Sequence, residues 1–312
     1  MVDDGIKYCV METSSQAFHQ MRLAGIHFKT GIFTNLTQDH LDYHGTIEEY
    51  MACKKTLFRN CDIAIINADD EAGAYMIEGI EVDTECYGID NSCSYKAENV
   101  ELFADRVEYD LNDEHVVFHI PGGFSVYNSL AAIAGVCSLG FEFGDVVESI
   151  SSAGSVKGRL ELLKTNTEYG IIIDYAHTPD GLEKALNAVR GFTTGRVITL
   201  FGCGGDRDKT KRPKMGRMAT DLSDIVVVTT DNQRTEDPEE IIKEILIGTV
   251  GSKAEVVSVL DRTEAIRYAM SIARKGDTIL LAGKGHETYQ IIGKERIHYD
   301  EREVVAEILK ER

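Results

Sequence analysis

Residues 170–202 read GIIIDYAHTPDGLEKALNAVRGFTTGRVITLFG. An apolar run at 171–174 is followed by an amphipathic segment, and a second apolar run follows at 196–201. Short apolar runs bounded by turn residues predict buried strands, and the longer amphipathic stretch between them predicts a helix. Two strands joined through a helix are typical of a parallel sheet. The stretch therefore predicts one strand–helix–strand unit of an α/β fold.

The same alternation continues toward the end of the chain. Further strands, each followed by a helical pattern, are predicted at 224–230, 256–259 and 278–282. This arrangement predicts a doubly wound, Rossmann-like domain. The small-residue stretch Ser-Ser-Ala-Gly-Ser at 151–155 suits a linker. We therefore predict a boundary near Val156, with one domain at 1–155 and a second at 156–312.

The first 155 residues carry an α/β pattern as well. Short apolar runs predict strands at 6–11, 31–34 and 62–67. Two further runs, at 100–109 and 115–120, predict a β-hairpin around Asn112-Asp113, because such dipeptides favour tight turns. A helix is predicted at 127–139. Both halves of the chain are therefore expected to be α/β.

The amino-acid composition limits which binding partners and which cellular compartment we expect. The 312 residues include 43% hydrophobic residues, enough to bury a core in each of two domains, and the formal net charge is -19. Such an acidic chain is not expected to bind nucleic acid or an anionic membrane surface. Seven cysteines without CxxC spacing favour neither a disulfide framework nor a zinc site, so we expect a reducing, cytoplasmic location. No run approaches the roughly 18 apolar residues that a membrane span needs.

Polar and glycine-rich residues follow most of the predicted strands. Ligands of doubly wound sheets collect beyond the carboxyl ends of the strands, so these are the expected site residues. The segments in question are Glu12-Thr13-Ser14-Ser15, Asn35, Asp174-Tyr175-Ala176-His177, Gly202-Cys203-Gly204-Gly205-Asp206-Arg207, Asp231-Asn232-Gln233-Arg234 and Gly283-Lys284-Gly285-His286-Glu287.

Three features of the first half allow either a functional or an ordinary interpretation. Glu12 ends an apolar run and could reach a magnesium ion, although a glutamate at a strand end is common. The stretch TNLTQDHLDYHG at 34–45 concentrates acids and imidazoles, which fits a metal or active site as well as a capped helix start. The pair Lys54-Lys55 on the following helix is typical of a solvated face.

The glycine-rich turn GCGGDRDKTKRP at 202–213 could turn backbone N–H groups toward an anion. It lacks the GK[ST] ending of a Walker A loop. It begins the one strongly basic cluster of an acidic chain, which favours an anionic ligand; the alternative is a helix start with ordinary surface cations. The cluster comprises Arg207, Lys209, Lys211, Arg212 and Lys214.

Taken together, seven strings in this order resemble the third-residue-adding members of the Mur ligase family: METSSQAFHQMR, FTNLTQDHLDYHG, VKGRLE, DYAHTPDGL, FGCGGDRDKTKRPKMG, TTDNQRTEDP and AGKGHETYQ. The resemblance runs from about Cys9 to Arg302. It implies part of the ATP-binding middle domain of a Mur ligase followed by a Rossmann-like C-terminal domain, with ATP and Mg²⁺ as cofactors. Folylpolyglutamate synthetases share this architecture, but the DYAHTPD and DNQR strings weigh against that assignment.

The resemblance also implies roles for individual residues. Glu12, His40 and Lys54 match the catalytic and magnesium-binding positions, Lys54 as a carbamate. Ser14, Gln20 and Arg22 match contacts to the UDP-muramoyl dipeptide. Nucleotide contacts are implied for Asn128, Arg159, Asp174 and His177. The pocket for the incoming amino acid is implied for Arg207, Asp231, Asn232, Gln233, Arg234, Gly283 and Glu287.

The implied reaction is ATP-dependent amide synthesis through an acyl phosphate, and Arg234 indicates which amino acid is added. An arginine can hold the second carboxylate of meso-diaminopimelate, whereas a lysine-adding site has no use for it. The diaminopimelate enzymes carry DNPR here and this chain carries DNQR, so Gln233 frees a backbone N–H and loosens φ. We expect meso-diaminopimelate, with L-lysine as the alternative.

One departure from the family concerns the phosphate loop. Eleven residues precede Glu12, and no GxxGK[ST] occurs in the chain, so the resemblance implies that the loop and a uridine-binding domain are missing. The chain is then expected not to ligate by itself, and Lys54 is expected to lack its carbamate. An expression fragment, a truncated reading frame and a diverged paralogue all fit, as does a non-catalytic fragment that keeps an amino-acid pocket.

Overall fold

The computed structural model describes residues 3–36, 41–154 and 156–311, without the side chains of residues 41 and 42. The chain divides into two compact units. Unit 1 contains the residues up to Val100 together with Tyr109–Val116 and Val126–Ile150. Unit 2 contains Glu101–Glu108, Val117–Ser125 and the chain from Ser151 onward. The boundary at Val156 stays a prediction.

A four-stranded sheet organises unit 1. Its order is β1-β2-β3-β4 and its neighbouring strands are parallel, so the first half is α/β. The strands are β1 (Phe28–Phe33), β2 (Cys61–Asn67), β3 (Asp83–Gly88) and β4 (Tyr95–Lys96). A separate three-stranded sheet contains β5 (Glu98–Leu102), β6 (Val107–Leu111) and β7 (Glu114–Phe118).

Short helices accompany these strands. They are α1 (Ser15–His19), α2 (Leu41–His44), α3 (Ile47–Lys55), a 3-10 helix (Thr56–Arg59), α4 (Gly73–Ile77), α5 (Gly123–Cys137) and α6 (Phe143–Ser152). Ser14 caps α1 by accepting from the N–H of Ala17, and Thr46 caps α3 by accepting from the N–H of Glu49. The core between sheet and helices contains Phe33, Phe58, Cys61, Ala64, Ile66, Ala72 and Met76.

The hairpin prediction is confirmed, with one change. Asn112 and Asp113 both have positive φ, at 48° and 67°, as a two-residue type I′ turn requires. The run 100–109 is not one strand, because the chain turns back where the N–H of Phe103 donates to the carbonyl of Arg106. The predicted helix at 127–139 begins four residues earlier, at Gly123.

The strand predicted at 6–11 is wrong. No described strand pairs with this segment, and Ile6, Tyr8, Val10 and Met11 are exposed. An apolar run becomes a strand only where a neighbouring backbone supplies hydrogen bonds, and a sequence pattern does not state whether that neighbour is present. Tyr8 instead lies beside Phe141, with ring centroids 5.7 Å apart.

A six-stranded sheet forms the centre of unit 2, in the order β12-β11-β10-β13-β9-β8. Its first five strands are parallel, and β8 is antiparallel to β9. The strands are β8 (Glu161–Leu162), β9 (Gly170–Asp174), β10 (Val197–Phe201), β11 (Ile225–Val228), β12 (Glu255–Ser258) and β13 (Thr278–Ala282), and a separate hairpin contains β14 (Tyr289–Ile292) and β15 (Glu295–His298).

Helices cover both faces of this sheet, as the sequence predicted for a doubly wound domain. Side chains of α7 (Pro179–Phe192), α8 (Lys211–Leu222) and α9 (Pro238–Ile247) share one core with the sheet. Side chains of α10 (Arg262–Ile272) and α11 (Glu301–Lys310) share the other. Strands β9, β10, β11 and β13 present their carboxyl ends to one edge, where the predicted site residues follow them. None of the described helices is long and apolar enough to cross a membrane.

Candidate functional site

At the end of β9, Asp174 holds two loops in place. Its carboxylate accepts the backbone N–H groups of Leu160 and Ala176, each at 2.8 Å. Burial raises the pKa of Asp174, and the two N–H donors and the charge of Arg159 offset that shift only in part. Each carboxylate oxygen therefore holds the backbone of one loop in place, and one of these loops carries Arg159.

Aromatic and basic side chains cluster around Tyr175, directly after Asp174. The Arg159 guanidinium lies 5.3 Å from the centroid of the Tyr175 ring. The rings of His177 and His286 lie 4.8 and 4.9 Å from it. Arg159, His177 and His286 are exposed, and the Lys211 amine donates to the carbonyl of His177 at 2.8 Å. The cluster presents cations and imidazoles to solvent, which suits contact with an anion.

Two glycines allow the loops of this cluster to cross. A Cβ on Gly158 would lie 2.2 Å from the backbone nitrogen of His286, and a Cβ on Gly285 would lie 2.6 Å from the Cβ of Tyr175. Both glycines have positive φ, at 73° and 53°. The close approach brings the VKGR and GKGH strings, which are distant in sequence, to one place.

The glycine-rich turn after β10 carries two arginines at its side. A Cβ on Gly204 would lie 2.9 Å from Nη1 of Arg234 and 3.9 Å from Cγ of Arg207, so glycine leaves room for both. Nη1 of Arg234 donates to the carbonyls of Gly205 and Asn232, at 2.7 and 3.4 Å. Within the described ranges, its Nε and Nη2 make no hydrogen bond, and the exposed Arg207 donates only to the carbonyl of Asp206.

Two cations of the predicted basic cluster are neutralised by glutamates of the same unit. Arg212 is fully buried and pairs with Glu236 and Glu244, at 2.9 and 2.7 Å. Lys209 also pairs with Glu236, at 3.0 Å. Hydrogen bonding to Arg212 lowers the pKa of Glu236 to about 2. These contacts anchor the turn to α9, whereas Arg207 and Arg234 keep donors for a ligand.

A compact charged cluster lies where β11 and β13 end. The Lys284 amine is fully buried, 3.5 Å from Oδ1 of Asp231 and 3.6 Å from Oε2 of Glu287. Asn232 donates from Nδ2 to Oε2 of Glu287 at 2.9 Å. A Cβ on Gly283, whose φ is 113°, would lie 2.7 Å from Oδ2 of Asp231. Burial raises the pKa of Asp231. The charges of Lys284 and Arg262 lower it by more than burial raises it, so the net pKa lies below its ordinary value.

Lys284 belongs to a segment that was expected at the site but was given no individual role, whereas Arg262 and Glu301 were not expected there; all three are buried beside the predicted pocket residues. Arg262 pairs with Glu301 at 2.8 Å and donates to the carbonyls of Thr230 and Ala282. These hydrogen bonds hold the carboxyl ends of β11 and β13 in place. One signal could have identified Lys284, namely a lysine between two glycines directly after a fully apolar strand.

In unit 1 the predicted residues around α1 lie on the surface. Glu12, Ser14, Gln20 and Arg22 are all exposed. Ser14 is occupied as the helix cap, and Nε2 of Gln20 donates to the hydroxyl of Tyr43 at 3.2 Å. Ser15 belongs to the expected segment after Glu12 but was given no individual role, and its hydroxyl lies 2.7 Å from Nε2 of His44.

Lys54 lies on α3, with its amine 5.0 Å from the centroid of the Tyr50 ring. That ring stacks on His44 at a centroid distance of 5.2 Å. His40 lies outside the described residues. Among the residues that the structure describes, no group of three His, Cys, Asp or Glu side chains could hold a metal ion.

Asn128 is exposed on α5, directly after a residue that anchors this helix. The hydroxyl of its neighbour Tyr127 donates to Asp69 at 3.0 Å. Asp69 also accepts the N–H groups of Ile89, Asp90 and Asn91. Burial opposes the ionised form, yet these donors lower the pKa of Asp69 to about 2. The anchor ties α5 to the ends of β2 and β3.

Comparison with known proteins gives a consistent assignment. A model of the Mur ligase middle domain matches residues 1–136, and a model of the Mur ligase glutamate ligase domain matches residues 158–285. UDP-N-acetylmuramoyl-L-alanyl-D-glutamate--2,6-diaminopimelate ligase 1 of Clostridium acetobutylicum is 49% identical over 100% of this chain. The corresponding ligase of Clostridium botulinum is 46% identical, also over 100% of this chain. The chain spans 65% of the length of each of these relatives.

Solved structures agree. A structure of UDP-N-acetylmuramoyl-L-alanyl-D-glutamate--2,6-diaminopimelate ligase aligns with a TM-score of 0.71 and 32% identity, over 99% of this chain and 66% of that one. A pseudomurein peptide ligase type C from Methanothermus fervidus shares the fold, with a TM-score of 0.66 and 20% identity over 96% of this chain and 66% of that one. The chain belongs to the Mur ligase family, of which it carries the middle domain and the glutamate ligase domain.

Proposed function

We propose that this chain is the larger part of an ATP-dependent ligase that joins meso-diaminopimelate to UDP-N-acetylmuramoyl-L-alanyl-D-glutamate in peptidoglycan synthesis. The names of the relatives that are 46–49% identical support both substrates. The seven cysteines, all without disulfides, support a cytoplasmic location. Neither nucleic acid nor a membrane is a proposed partner.

One observation carries the choice of amino acid. Arg234 and Arg207 flank Gly204 with donors to spare, and Arg234 pairs with neither Glu236 nor Asp237. A guanidinium with unused N–H groups can hold a carboxylate by two parallel hydrogen bonds. Diaminopimelate has one carboxylate more than lysine, so this donor set fits diaminopimelate better. Glu287 supplies an anion for an ammonium group of the same molecule.

The proposed reaction proceeds in two steps. The terminal carboxylate of the D-glutamyl residue takes the γ-phosphoryl group of ATP and becomes an acyl phosphate. The neutral amine of diaminopimelate then attacks the carbonyl carbon, the C–N bond forms, the C–O bond to phosphate breaks, and the nitrogen loses one proton to become the amide N–H. The pocket residues of this chain would orient the amine and hold the remaining charges of the amino acid.

The nucleotide and magnesium assignments rest on the resemblance. Arg159 and His177 are exposed next to Tyr175, where they could contact phosphates, and the carboxylate of Asp174 fixes the loops that carry them. Asn128 is exposed on an anchored helix. Magnesium would offset phosphate charge, with Glu12, His40 and carbamylated Lys54 as its ligands. Within the described residues, which do not include His40, no three such side chains form a metal-binding group.

A chimera tests the proposal. The region of the Clostridium acetobutylicum ligase that matches this chain is replaced by residues 1–312, and ADP release is followed with ATP, magnesium, the UDP-muramoyl dipeptide and an amino acid. We expect ADP release that requires both the dipeptide and meso-diaminopimelate. The 312-residue chain alone, which contains no GxxGK[ST], is expected to release none. A folded chimera that is inactive, or that uses L-lysine equally well, would contradict the proposed function.

A further inference from the structure

Lys284 is the only cation that directly contacts both carboxylates of the amino-acid pocket among the described residues. Its amine donates to the carbonyl of Tyr289 at 2.9 Å and to Oδ1 of Asn232 at 3.3 Å. Asp231 and Glu287 lie within 3.6 Å of the same amine. A fully buried lysine is rare unless its charge is balanced, so these contacts define its role.

The contacts of Lys284 also orient the amide of Asn232. Oδ1 of Asn232 accepts from Lys284 and from the N–H of Ile291, at 3.3 and 2.9 Å. Two donors on one side leave only the NH₂ group for the other side, where it donates to Oε2 of Glu287. Lys284 therefore holds Glu287 both directly and through Asn232.

The charges of the cluster do not sum to zero. Asp231 and Glu287 bring two negative charges against one positive charge on Lys284, and Arg262 is already paired with Glu301. Asp231 is the more buried carboxylate, at 8% side-chain exposure against 13% for Glu287. Oε1 of Glu287 has one long contact, 3.3 Å from the hydroxyl of Tyr289. The surplus negative charge is therefore accessible at Glu287.

We propose that Lys284 is a positioning residue, which balances Asp231, fixes the amide of Asn232 and presents the Glu287 carboxylate to an ammonium group of the incoming amino acid. This inference rests on the proposed function and adds a residue to it. The titratable and charged groups that face the cluster from the surrounding elements are Tyr175, Cys203, Arg262, Tyr289, Arg296, Tyr299 and Glu301.

Calorimetric titration of the 312-residue chain with meso-diaminopimelate tests the proposal in Lys284→Met. Without the ammonium group of Lys284, Asp231 and Glu287 are expected to share one proton, because two close carboxylates cannot both ionise freely. Binding of the substrate ammonium then lowers the pKa of the pair and releases up to one proton, which is counted by repeating the titration in buffers of different ionisation enthalpy. The affinity should fall about 30-fold or more at pH 7 and recover as the pH rises. The wild-type chain is expected to release none.

Three further variants separate charge from folding. Lys275→Met makes the same change at an exposed lysine of unit 2 and is expected to bind like the wild type. Lys284→Met combined with Asp231→Asn removes one charge of each sign and is expected to abolish the proton release. Lys284→Gln serves where the methionine variant does not fold. Equal weakening at every pH, without proton release, would show a merely structural role and overturn the proposal.

A ligand-free measurement distinguishes this proposal from the proposed function. The side-chain carboxyl carbon of Asp231 is followed by NMR in a chain labelled with ¹³C-aspartate. In Lys284→Met its titration midpoint should rise from below to above the ordinary value of about 4. An unchanged midpoint in the folded variant would refute the role of Lys284. A wild-type chain that binds no diaminopimelate would contradict the proposed function instead.

Discussion

Arg234 shows how far a single residue can be interpreted from sequence. Its position in the DNQR string predicted a carboxylate-binding arginine, although an arginine on a surface can also pair with an acidic neighbour such as Glu236 or Asp237. Glu236 is instead occupied by Arg212 and Lys209. Arg234 itself has a left-handed backbone, with φ of 51°, and it lies beside Gly204. The role in binding stays a prediction, but the competing ion pair is not formed.

Substitution of Arg234 by alanine is expected to separate the two candidate amino acids. The change removes a charge-assisted hydrogen-bond donor, so binding of meso-diaminopimelate should weaken by roughly 1.5–3 kcal/mol. Binding of L-lysine should change little, because lysine lacks the second carboxylate. Calorimetric titration of the 312-residue chain with each amino acid measures both values.

Arg217→Ala is the matched control, since Arg217 is exposed on α8 and, among the described residues, pairs only with Asp221, four residues later. It should alter neither affinity, because an exposed pair of this kind contributes little. Equal loss of both amino acids in Arg234→Ala would argue against a carboxylate-specific role for Arg234.

Two residues whose contacts the sequence did not indicate share a physical cause. Lys284 lies in an expected segment, but its burial depends on Asn232 and Asp231, which a distant part of the chain supplies. Arg212 was predicted to be part of a basic anion site, yet its guanidinium is enclosed by two glutamates of another segment. Local composition indicates that a cation is present, whereas its partner depends on tertiary packing.

At the scale of elements, the crossing of the loops that carry Gly158 and Gly285 positions Arg159 and His286. The crossing is reinforced by Arg302, which pairs with Glu161 and donates to the carbonyl of Gly285 at 3.1 Å. The N–H of Gly158 donates to the same Glu161 at 2.6 Å. Any side chain on Gly158 would meet backbone, which cannot move aside cheaply.

Gly158→Ala is therefore expected to destabilise unit 2 more than the same change at Gly251. Both glycines have similar positive φ, at 73° and 78°, so each substitution costs roughly 1–2 kcal/mol for the backbone conformation. Only Gly158 adds a contact of 2.2 Å, since nothing lies within 4 Å of a Cβ on Gly251. Denaturant unfolding of the two variants measures the difference. Equal losses of stability would mean that the backbone at the crossing can move to accommodate the added methyl group.

The elements themselves were predicted with unequal success. The strands at 171–174 and 278–282 are confirmed, because parallel strands buried on both faces produce continuous apolar runs. The run at 6–11 has the same appearance but no partner strand among the described residues. The break at Phe103–Arg106 was missed because a turn without Gly or Pro leaves a weak sequence signal.

At the scale of the whole molecule, the sequence predicted both α/β units, and the comparisons confirm the Mur ligase family. The formal net charge of -19 means that an anionic ligand needs local cations, and Arg207 and Arg234 supply them at the proposed pocket. The proposed pocket lies within unit 2. Its preference can therefore be measured on the 312-residue chain without ligation.

Direct binding of meso-diaminopimelate and L-lysine to the wild-type 312-residue chain tests the central claim. Calorimetric titration at one pH and salt concentration gives both dissociation constants. We predict that diaminopimelate binds at least about tenfold more tightly than lysine, the equivalent of one charge-assisted hydrogen bond. Equal binding, tighter binding of lysine, or no binding of either amino acid to the folded chain would contradict it.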